Sequence, residues 1–165
     1  MRSKLLPRNE VAALGERLRA EGRKITFANG CFEILHVGHV RYLQGAKEEG
    51  DVLVVGVNSD PSVARLKGAG RPLVPVDARA ELVASLACVD YVTVFDDPTA
   101  EPVLRDLRPH VQCKGPDYTE ENVPERRVMD ELGGVVRIVG DPKNHSTRDL
   151  LADIARRART VDSDK

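Results

Sequence analysis

Two histidines, His36 and His39, lie three residues apart where a predicted strand gives way to a predicted helix. Residues at this spacing share one face of a helix, so both imidazoles can point the same way. A helix amino terminus adds unpaired backbone N–H groups and the positive end of the helix dipole. Gly38 permits close approach of a ligand, and Asn29-Gly30 at the strand end can supply further N–H donors. The pattern therefore favours a site for an anion such as a phosphate.

Other interpretations of these residues are weaker. The histidines could cap the helix and bind nothing. With Glu33 as the nearest third candidate ligand, they offer too few groups to predict a zinc site. The chain has no G-x-x-x-x-G-K-S/T motif, and Gly68-Ala69-Gly70 lacks the third glycine of a dinucleotide fingerprint. A P-loop and a dinucleotide-binding turn are therefore both excluded.

Composition narrows the class of protein. The 165 residues carry 25 Lys and Arg against 26 Asp and Glu, and this balance argues against a nonspecific nucleic-acid binder. The three cysteines are far apart and form no C-x-x-C pair. The first residues are too charged for a signal peptide, and no run approaches the ~20 apolar residues that span a bilayer. We therefore predict a cytoplasmic protein that contacts neither membrane nor nucleic acid.

Apolar runs of strand length alternate with amphipathic helical patterns along the chain. The runs predict strands over residues 25–28, 51–58, 91–95, 111–114 and 135–139. The helical patterns cover residues 10–22, 37–49, 77–86, 99–107, 124–132 and 146–157, and residues 67–75 form a predicted loop. This alternation predicts an α/β fold: a single doubly wound, Rossmann-like domain with a mostly parallel five-stranded sheet. We expect an N-terminal helix over 1–23, the domain over 24–158 and a polar tail over 159–165.

Ligands of such sheets bind at the carboxyl ends of the strands, near the point where the strand order reverses. This rule singles out residues 28–33, 58–60, 114–118 and 140–147. Asp60 in the second segment is a candidate for binding an acceptor or magnesium. Ser146 and Thr147 open the last helix, where a hydroxyl can bind phosphate or cap the helix. Cys31 lies beside the histidine site, and a small buried filler is favoured there over a reactive thiol.

Several motifs, taken in order, resemble the H-x-G-H nucleotidylyltransferase superfamily, most closely its D-glycero-beta-D-manno-heptose 1-phosphate adenylyltransferase branch. The resemblance covers about residues 24–155. Its motifs are Gly30-Cys31-Phe32-Glu33-Ile34-Leu35-His36-Val37-Gly38-His39, Arg41-Tyr42-Leu43, Val57-Asn58-Ser59-Asp60, Arg65-Leu66-Lys67-Gly68, Arg71-Pro72, Arg79, Cys88-Val89-Asp90-Tyr91, Lys114-Gly115-Pro116-Asp117-Tyr118 and His145-Ser146-Thr147.

The resemblance implies a reaction. An oxygen of a sugar 1-phosphate attacks the α-phosphorus of ATP, and pyrophosphate leaves with magnesium. The product of the heptose branch is ADP-heptose. Mg²⁺ would be the cofactor, carried with the nucleoside triphosphate rather than by a protein metal site. The catalytic residues implied are His36, His39 and Lys67.

The resemblance also implies binding residues. Those for the nucleotide are Asn29, Gly30, Cys31, Phe32, Gly38, Lys114, Gly115, Asp117, Tyr118, Ser146 and Thr147. Those for the substrate are Glu33, Asn58, Asp60 and Arg79. Simpler structural interpretations compete for some of them: a solvated charge for Lys67, a surface salt bridge for Arg79, a turn for Asp117 and a helix cap for Ser146.

Three departures from the family pattern concern the choice of base and acceptor. Glu33 stands where Asp is usual, Pro116 where Gly or Thr is commoner, and Arg148 follows Ser146-Thr147 where a second Thr is frequent. The alternatives are a cytidylyltransferase for a polyol or amino-alcohol phosphate, and a catalytically silent nucleotide-binding regulator. Expected partners are ATP, the sugar 1-phosphate, further copies of the chain in a homo-oligomer, and a separate sugar kinase acting upstream.

Overall fold

The computed structural model describes residues 4–142 and 146–163. A short 3-10 helix, Arg8–Glu10, leads into the first α-helix. The helices are α1 (Val11–Ala20), α2 (Val37–Glu48), α3 (Asp60–Lys67), α4 (Val76–Ala84), α5 (Glu101–Leu107), α6 (Arg126–Glu131) and α7 (Thr147–Ser163). The strands are β1 (Ile25–Gly30), β2 (Val52–Asn58), β3 (Tyr91–Phe95), β4 (Val111–Lys114) and β5 (Val135–Ile138).

The strands form one sheet in the order β3-β2-β1-β4-β5, and every pair is parallel. The predicted α/β fold with five strands is therefore confirmed. The order reverses between β1 and β4, where Ala28 pairs with Cys113. A crevice opens at such a reversal because the crossover helices leave β1 and β4 on opposite sides of the sheet.

Helices cover both faces of the sheet, so the strands carry apolar residues on both sides. One core cluster packs α1, α5 and α6 against a face that includes Phe27 and Val54. The other packs α2 and α4 against a face that includes Ala28 and Val55. All seven residues of β2 are buried, as the apolar run of 51–58 predicts. Within residues 4–142 and 146–163, none of the helices is both long and apolar enough to cross a bilayer.

Helix α3 is absent from the sequence-based prediction, which assigns no element to residues 59–66 and a loop to residues 67–75. Ser59 caps this helix, because its hydroxyl accepts a hydrogen bond from the Ser62 N–H at 3.1 Å. Pro61 lies in the first turn, where a missing N–H costs nothing. The helix places Lys67 at its end and shortens the loop to residues 68–75. The last helix also continues to Ser163, beyond its predicted end near residue 157.

Candidate active site

A cleft of about 1180 Å³ lies at the carboxyl end of the sheet, beside the reversal between β1 and β4. Of the residues predicted for the site, all except Asp60 and Arg79 line it. They come from the β1–α2 loop, the end of β2, the end of α3, the segment after β4 and the start of α7. Topology thus brings together residues that are more than a hundred positions apart in the chain.

The two histidines form a stacked pair at the start of α2. Their ring centroids are 3.9 Å apart and the ring planes differ by 25°. The His36 carbonyl accepts a hydrogen bond from the His39 N–H at 2.9 Å, which closes the first turn. On its other side, the His39 ring meets the Phe32 ring at a centroid distance of 5.3 Å, in an edge-on arrangement. His39 is therefore held between two rings.

Phe32 achieves this contact through an unusual backbone conformation. Its φ is +46°, in the left-handed region that costs a bulky side chain energy. Only 4% of the residue is exposed, so it lines the cleft while most of its ring packs inward. A Cβ on Gly30 would lie 3.2 Å from that ring, which explains the glycine there. Residues 30–32 thus support the histidine pair.

The imidazole of His39 is neutral near pH 7. Burial is the main cause that lowers the pKa of His39 to about 4, and the nearby His36 and Lys67 lower it further. A neutral imidazole still donates one N–H to an anion. An incoming phosphate would raise this pKa again, because an opposite charge favours the protonated ring.

This pKa predicts a pH dependence of stability. The pKa of His39 is about 4 in the folded chain and near 6.5 when unfolded. Between these values the unfolded state binds the extra proton, so the free energy of unfolding should fall as pH decreases from about 6.5 to about 4. The His39 contribution is at most about 3 kcal/mol. Urea unfolding of the wild type and His39→Gln across this range measures it.

The two unfolding curves isolate His39, since the carboxylates titrate in both proteins. The free energy of unfolding of the wild type, minus that of His39→Gln, should fall by up to about 3 kcal/mol between pH 7 and pH 4. A difference that stays constant from pH 7 to pH 4 would contradict the lowered pKa.

Glu33 is buried beneath the segment that follows α3. Its carboxylate accepts two hydrogen bonds from the Arg71 guanidinium and one from the Leu73 N–H at 2.9 Å. Lys67 Nζ lies 3.5 Å from Glu33 Oε2. These partners lower the pKa of Glu33 to about 2, the Arg71 hydrogen bonds being the main cause. Arg71, which the sequence analysis does not include among the site residues, thus belongs to the cleft lining.

A second buried ion pair lies on the β4 side of the cleft. Lys114 Nζ is 3.2 Å from Glu125 Oε2 and donates to Asn29 Oδ1 at 3.1 Å. The same ammonium lies 5.4 Å from the centre of the Tyr118 ring, within reach of a cation–π contact. Glu125 is 4% exposed and lines the cleft. No sequence motif identifies it, since it precedes a short helix far from β1.

The start of α7 lines the same cleft as the histidines. The Ser146 hydroxyl accepts a hydrogen bond from the Asp149 N–H at 3.1 Å and donates to the Asp149 carboxylate at 2.6 Å. Ser146 is therefore a helix cap in this structure, and it lines the cleft with Thr147 and Arg148. His145, which belongs to the same motif, lies outside the described residues.

Arg79 lies inside the protein rather than in the cleft. None of the residue is exposed, and its guanidinium donates to the Cys31 carbonyl at 2.5 Å and the Val74 carbonyl at 2.9 Å. It also donates to Asp60 Oδ1 at 2.7 Å. Arg79 and Asp60, which the sequence predicts to bind the substrate, therefore do not line the cleft with the other predicted residues. The Arg79 contacts connect the β1–α2 loop, α3 and the segment before α4. Because Arg79 is fully buried, the alternative interpretation as a surface salt bridge is also wrong.

Cys31 and Asn58 also line the cleft. Burial raises the pKa of the Cys31 thiol, so the thiol form dominates near pH 7. Asn58 donates to the Ser62 hydroxyl at 3.0 Å. Among the residues that the structure describes, no group of three or more His, Cys, Asp or Glu could hold a metal ion.

The cleft is rich in groups that bind anions. Besides the histidine pair, the side chains of Lys67, Arg71, Lys114 and Arg148 reach it. Gly115, Asp117 and Tyr118 line the side after β4. The arrangement can therefore hold a polyphosphate along the histidines and an attached nucleoside beside β4.

Comparison with known proteins agrees with this geometry. The sequence profile of the cytidylyltransferase-like family matches residues 27–159. The bifunctional protein HldE of Pseudomonas paraeruginosa is 49% identical over 139 residues, which are 84% of this chain and 29% of that protein. The protein of the same name from Geobacter metallireducens is 48% identical over 146 residues, or 88% of this chain and 30% of that protein. The chain thus spans about 30% of the length of these relatives.

Two solved structures share the fold. A lipopolysaccharide core biosynthesis protein from Thermoplasma volcanium has a TM-score of 0.60 and 31% identity, over 71% of this chain and 94% of that one. Pantoate-beta-alanine ligase from Francisella tularensis, complexed with beta-gamma ATP and beta-alanine, has a TM-score of 0.61 over 87% of this chain and 68% of that one. Its identity is 14%, so this second likeness concerns the fold alone.

Proposed function

The chain belongs to the cytidylyltransferase-like family, and from this premise we propose that it transfers the adenylyl group of ATP to heptose 1-phosphate. The products are ADP-heptose and pyrophosphate. The observation that carries the proposal is the stacked His36–His39 pair at the strand-order reversal, with Lys67 and the start of α7 on the same cleft. This set of donors suits a triphosphate whose α-phosphorus is attacked.

Support for the acceptor comes from relatives and motifs rather than from the cleft alone. The relatives named bifunctional protein HldE are 41% to 49% identical to this chain. The ordered motifs from Gly30 to Thr147 resemble the heptose 1-phosphate branch of the superfamily. The likeness to a lipopolysaccharide core biosynthesis protein is in keeping with an activated sugar as product.

The chemistry requires alignment and charge stabilisation. The acceptor phosphate is already ionised at neutral pH, so no residue needs to remove a proton from it. In the proposed complex, His36 and His39 donate N–H groups to the triphosphate while Lys67 meets charge that develops at the α-phosphate. Preorganised donors of this kind stabilise a transition state because they need no reorientation during the reaction. Lys114, Gly115 and Asp117 would hold the nucleoside.

Magnesium would enter with the triphosphate. Mg²⁺ prefers oxygen ligands and keeps several bound waters. Phosphate oxygens and these waters can therefore provide most of its ligands. The imidazoles and cationic side chains of the cleft suit phosphate oxygens, and the described residues hold no group of three or more His, Cys, Asp or Glu that could bind a metal ion. The metal would neutralise charge on the leaving pyrophosphate.

The test measures pyrophosphate release with Mg²⁺ and each of ATP, CTP, GTP and UTP, without an acceptor, with heptose 1-phosphate or with a polyol phosphate. Release that requires both ATP and heptose 1-phosphate, and that stops when EDTA removes the metal, is the expected result. Release with CTP and a polyol phosphate would support the alternative, a cytidylyltransferase of the same family with a different nucleotide and acceptor. Clear ATP binding without release for any pair would favour the silent regulator.

Several predictions about the cellular setting stay predictions. They are the cytoplasmic location, the homo-oligomer and the sugar kinase that would supply heptose 1-phosphate. The proposed reaction needs such a kinase, because it starts from a sugar that already carries a 1-phosphate.

A further inference from the structure

Lys67, the last residue of α3, and Arg71, in the segment 68–75 that leads to α4, line the cleft. Residues 67–70 are exposed, and Gly68 and Gly70 have φ values of +96° and +79°. Among the described residues, Glu33 and Arg79 make the hydrogen bonds and ion pairs that tie residues 67–75 to other parts of the fold. Arg79 holds Val74 at the far end, so Glu33 is the partner of the part nearest Lys67.

Glu33 binds its partners with unequal strength. Arg71 donates from two nitrogens to the two carboxylate oxygens, and the Leu73 N–H adds a third hydrogen bond. Such bidentate pairs are the strong ones because geometry and charge act together. Lys67 makes only an ion pair at 3.5 Å, and 36% of its side chain is exposed. An anion in the cleft can therefore draw Lys67 away while Arg71 and Leu73 stay.

The burial of Glu33 favours the conformation in which Arg71 and Leu73 are bonded to it. Its side chain is fully buried, whereas a quarter of the Arg71 side chain is exposed. A buried carboxylate needs its partners, because an unpaired charge away from water is costly. The loop must therefore stay closed over Glu33 for the carboxylate to remain satisfied.

We propose that Glu33 is a positioning residue, which holds residues 68–73 beside the cleft through Arg71 and the Leu73 N–H, and which through its own ion pair keeps the Lys67 side chain, at the end of α3, placed to meet the triphosphate. The inference rests on the proposed function for what Lys67 does. It assigns Glu33 a role through the loop rather than direct contact with the acceptor. It also assigns Arg71 as the anchor of that loop.

The test combines hydrogen exchange with kinetics. Glu33→Gln and Arg71→Gln break the same pair from its buried and its exposed side. In the peptide that covers residues 68–73, amide exchange at Leu73, measured by mass spectrometry without substrate, should be about tenfold faster or more in both variants, because its hydrogen bond to Glu33 is the one that protects it. Glu131→Gln is the matched control, because it removes an exposed carboxylate that pairs with Arg105 far from the cleft. Exchange of residues 68–73 should not change in this control.

Kinetic measurements then distinguish a role of Glu33 in positioning Lys67 from a role in the stability of the fold alone. Glu33→Gln should lower kcat about tenfold or more, with a smaller change in the KM for ATP. Because Glu33 acts through Lys67, the double variant Glu33→Gln/Lys67→Ala should be no slower than Lys67→Ala alone. Additive losses in the double variant would overturn the role through Lys67.

The exchange result does not depend on the substrates. Unchanged exchange of residues 68–73 in both variants would overturn the proposal, even if the wild type makes ADP-heptose. Faster exchange with unchanged kcat would overturn it as well. Should Glu33→Gln fail to fold, Arg71→Gln carries both measurements, because Arg71 is partly exposed. If the wild type is inactive with every combination of nucleotide and acceptor, the proposed function is wrong, and so is the role of Glu33 in placing Lys67 for catalysis. The exchange measurement would still show whether Glu33 holds the loop.

Discussion

Replacing His36 by alanine should lower kcat/KM for pyrophosphate release from ATP and heptose 1-phosphate by about 10²–10³-fold, as expected when one donor to a developing charge is lost. His36 stacks on His39 at 3.9 Å and precedes the first turn of α2. The loss should fall mainly on kcat, because the other groups on the cleft still bind the ground-state triphosphate. Steady-state kinetics across both substrates measure the split.

His39→Ala should cause a loss of similar size, and the double variant should lose little more than either single one. Groups that act as a unit show such non-additivity, and these rings share one position against the triphosphate. Val37→Ala is the matched control: Val37 lies between the histidines, is 40% exposed and does not line the cleft. Activity in His36→Ala within threefold of wild type would contradict the role given to the pair.

Arg79→Met should destabilise the fold by about 2–5 kcal/mol, because two inward-facing carbonyls lose their donor, at about 1–3 kcal/mol each, and Asp60 loses its cation while its own side chain stays 40% exposed. The guanidinium satisfies the Cys31 and Val74 carbonyls and pairs with Asp60. Methionine has similar length but no donors, so both carbonyls lose their hydrogen bond and Asp60 loses its cation. Urea unfolding followed by circular dichroism measures the free-energy difference.

Arg105→Met is the control for this change. Arg105 pairs with Glu131 at 2.9 Å on the surface, and exposed pairs contribute little, so its loss should cost under about 1 kcal/mol. Arg79→Lys keeps the charge but loses the planar guanidinium group. Its loss in the free energy of unfolding should lie between those of Arg79→Met and Arg105→Met. A loss for Arg79→Met no larger than for Arg105→Met would contradict the structural role of Arg79.

Local patterns in the sequence were enough to predict the architecture and most of the residues that line the cleft. The strands Tyr91–Phe95 and Val111–Lys114 have the predicted bounds, because a buried parallel strand is a local apolar run with clear ends. The histidine pair was predicted from its spacing and from its place after β1. These features depend on neighbouring residues, so local pattern suffices to find them. The missed helix α3 also had local signals, in Ser59 and Pro61.

Which polar residues contact one another depends on the tertiary structure. Glu33 pairs with Arg71 across 38 positions, and Lys114 pairs with Glu125 because the segment before α6 folds back onto β4. Arg79 could equally have been a surface residue by sequence, yet it is buried between three segments. Charged residues have no periodicity that distinguishes a buried pair from a solvated one. Their roles depend on which loops the parallel crossovers bring to the same edge of the sheet, and this is a property of the whole fold.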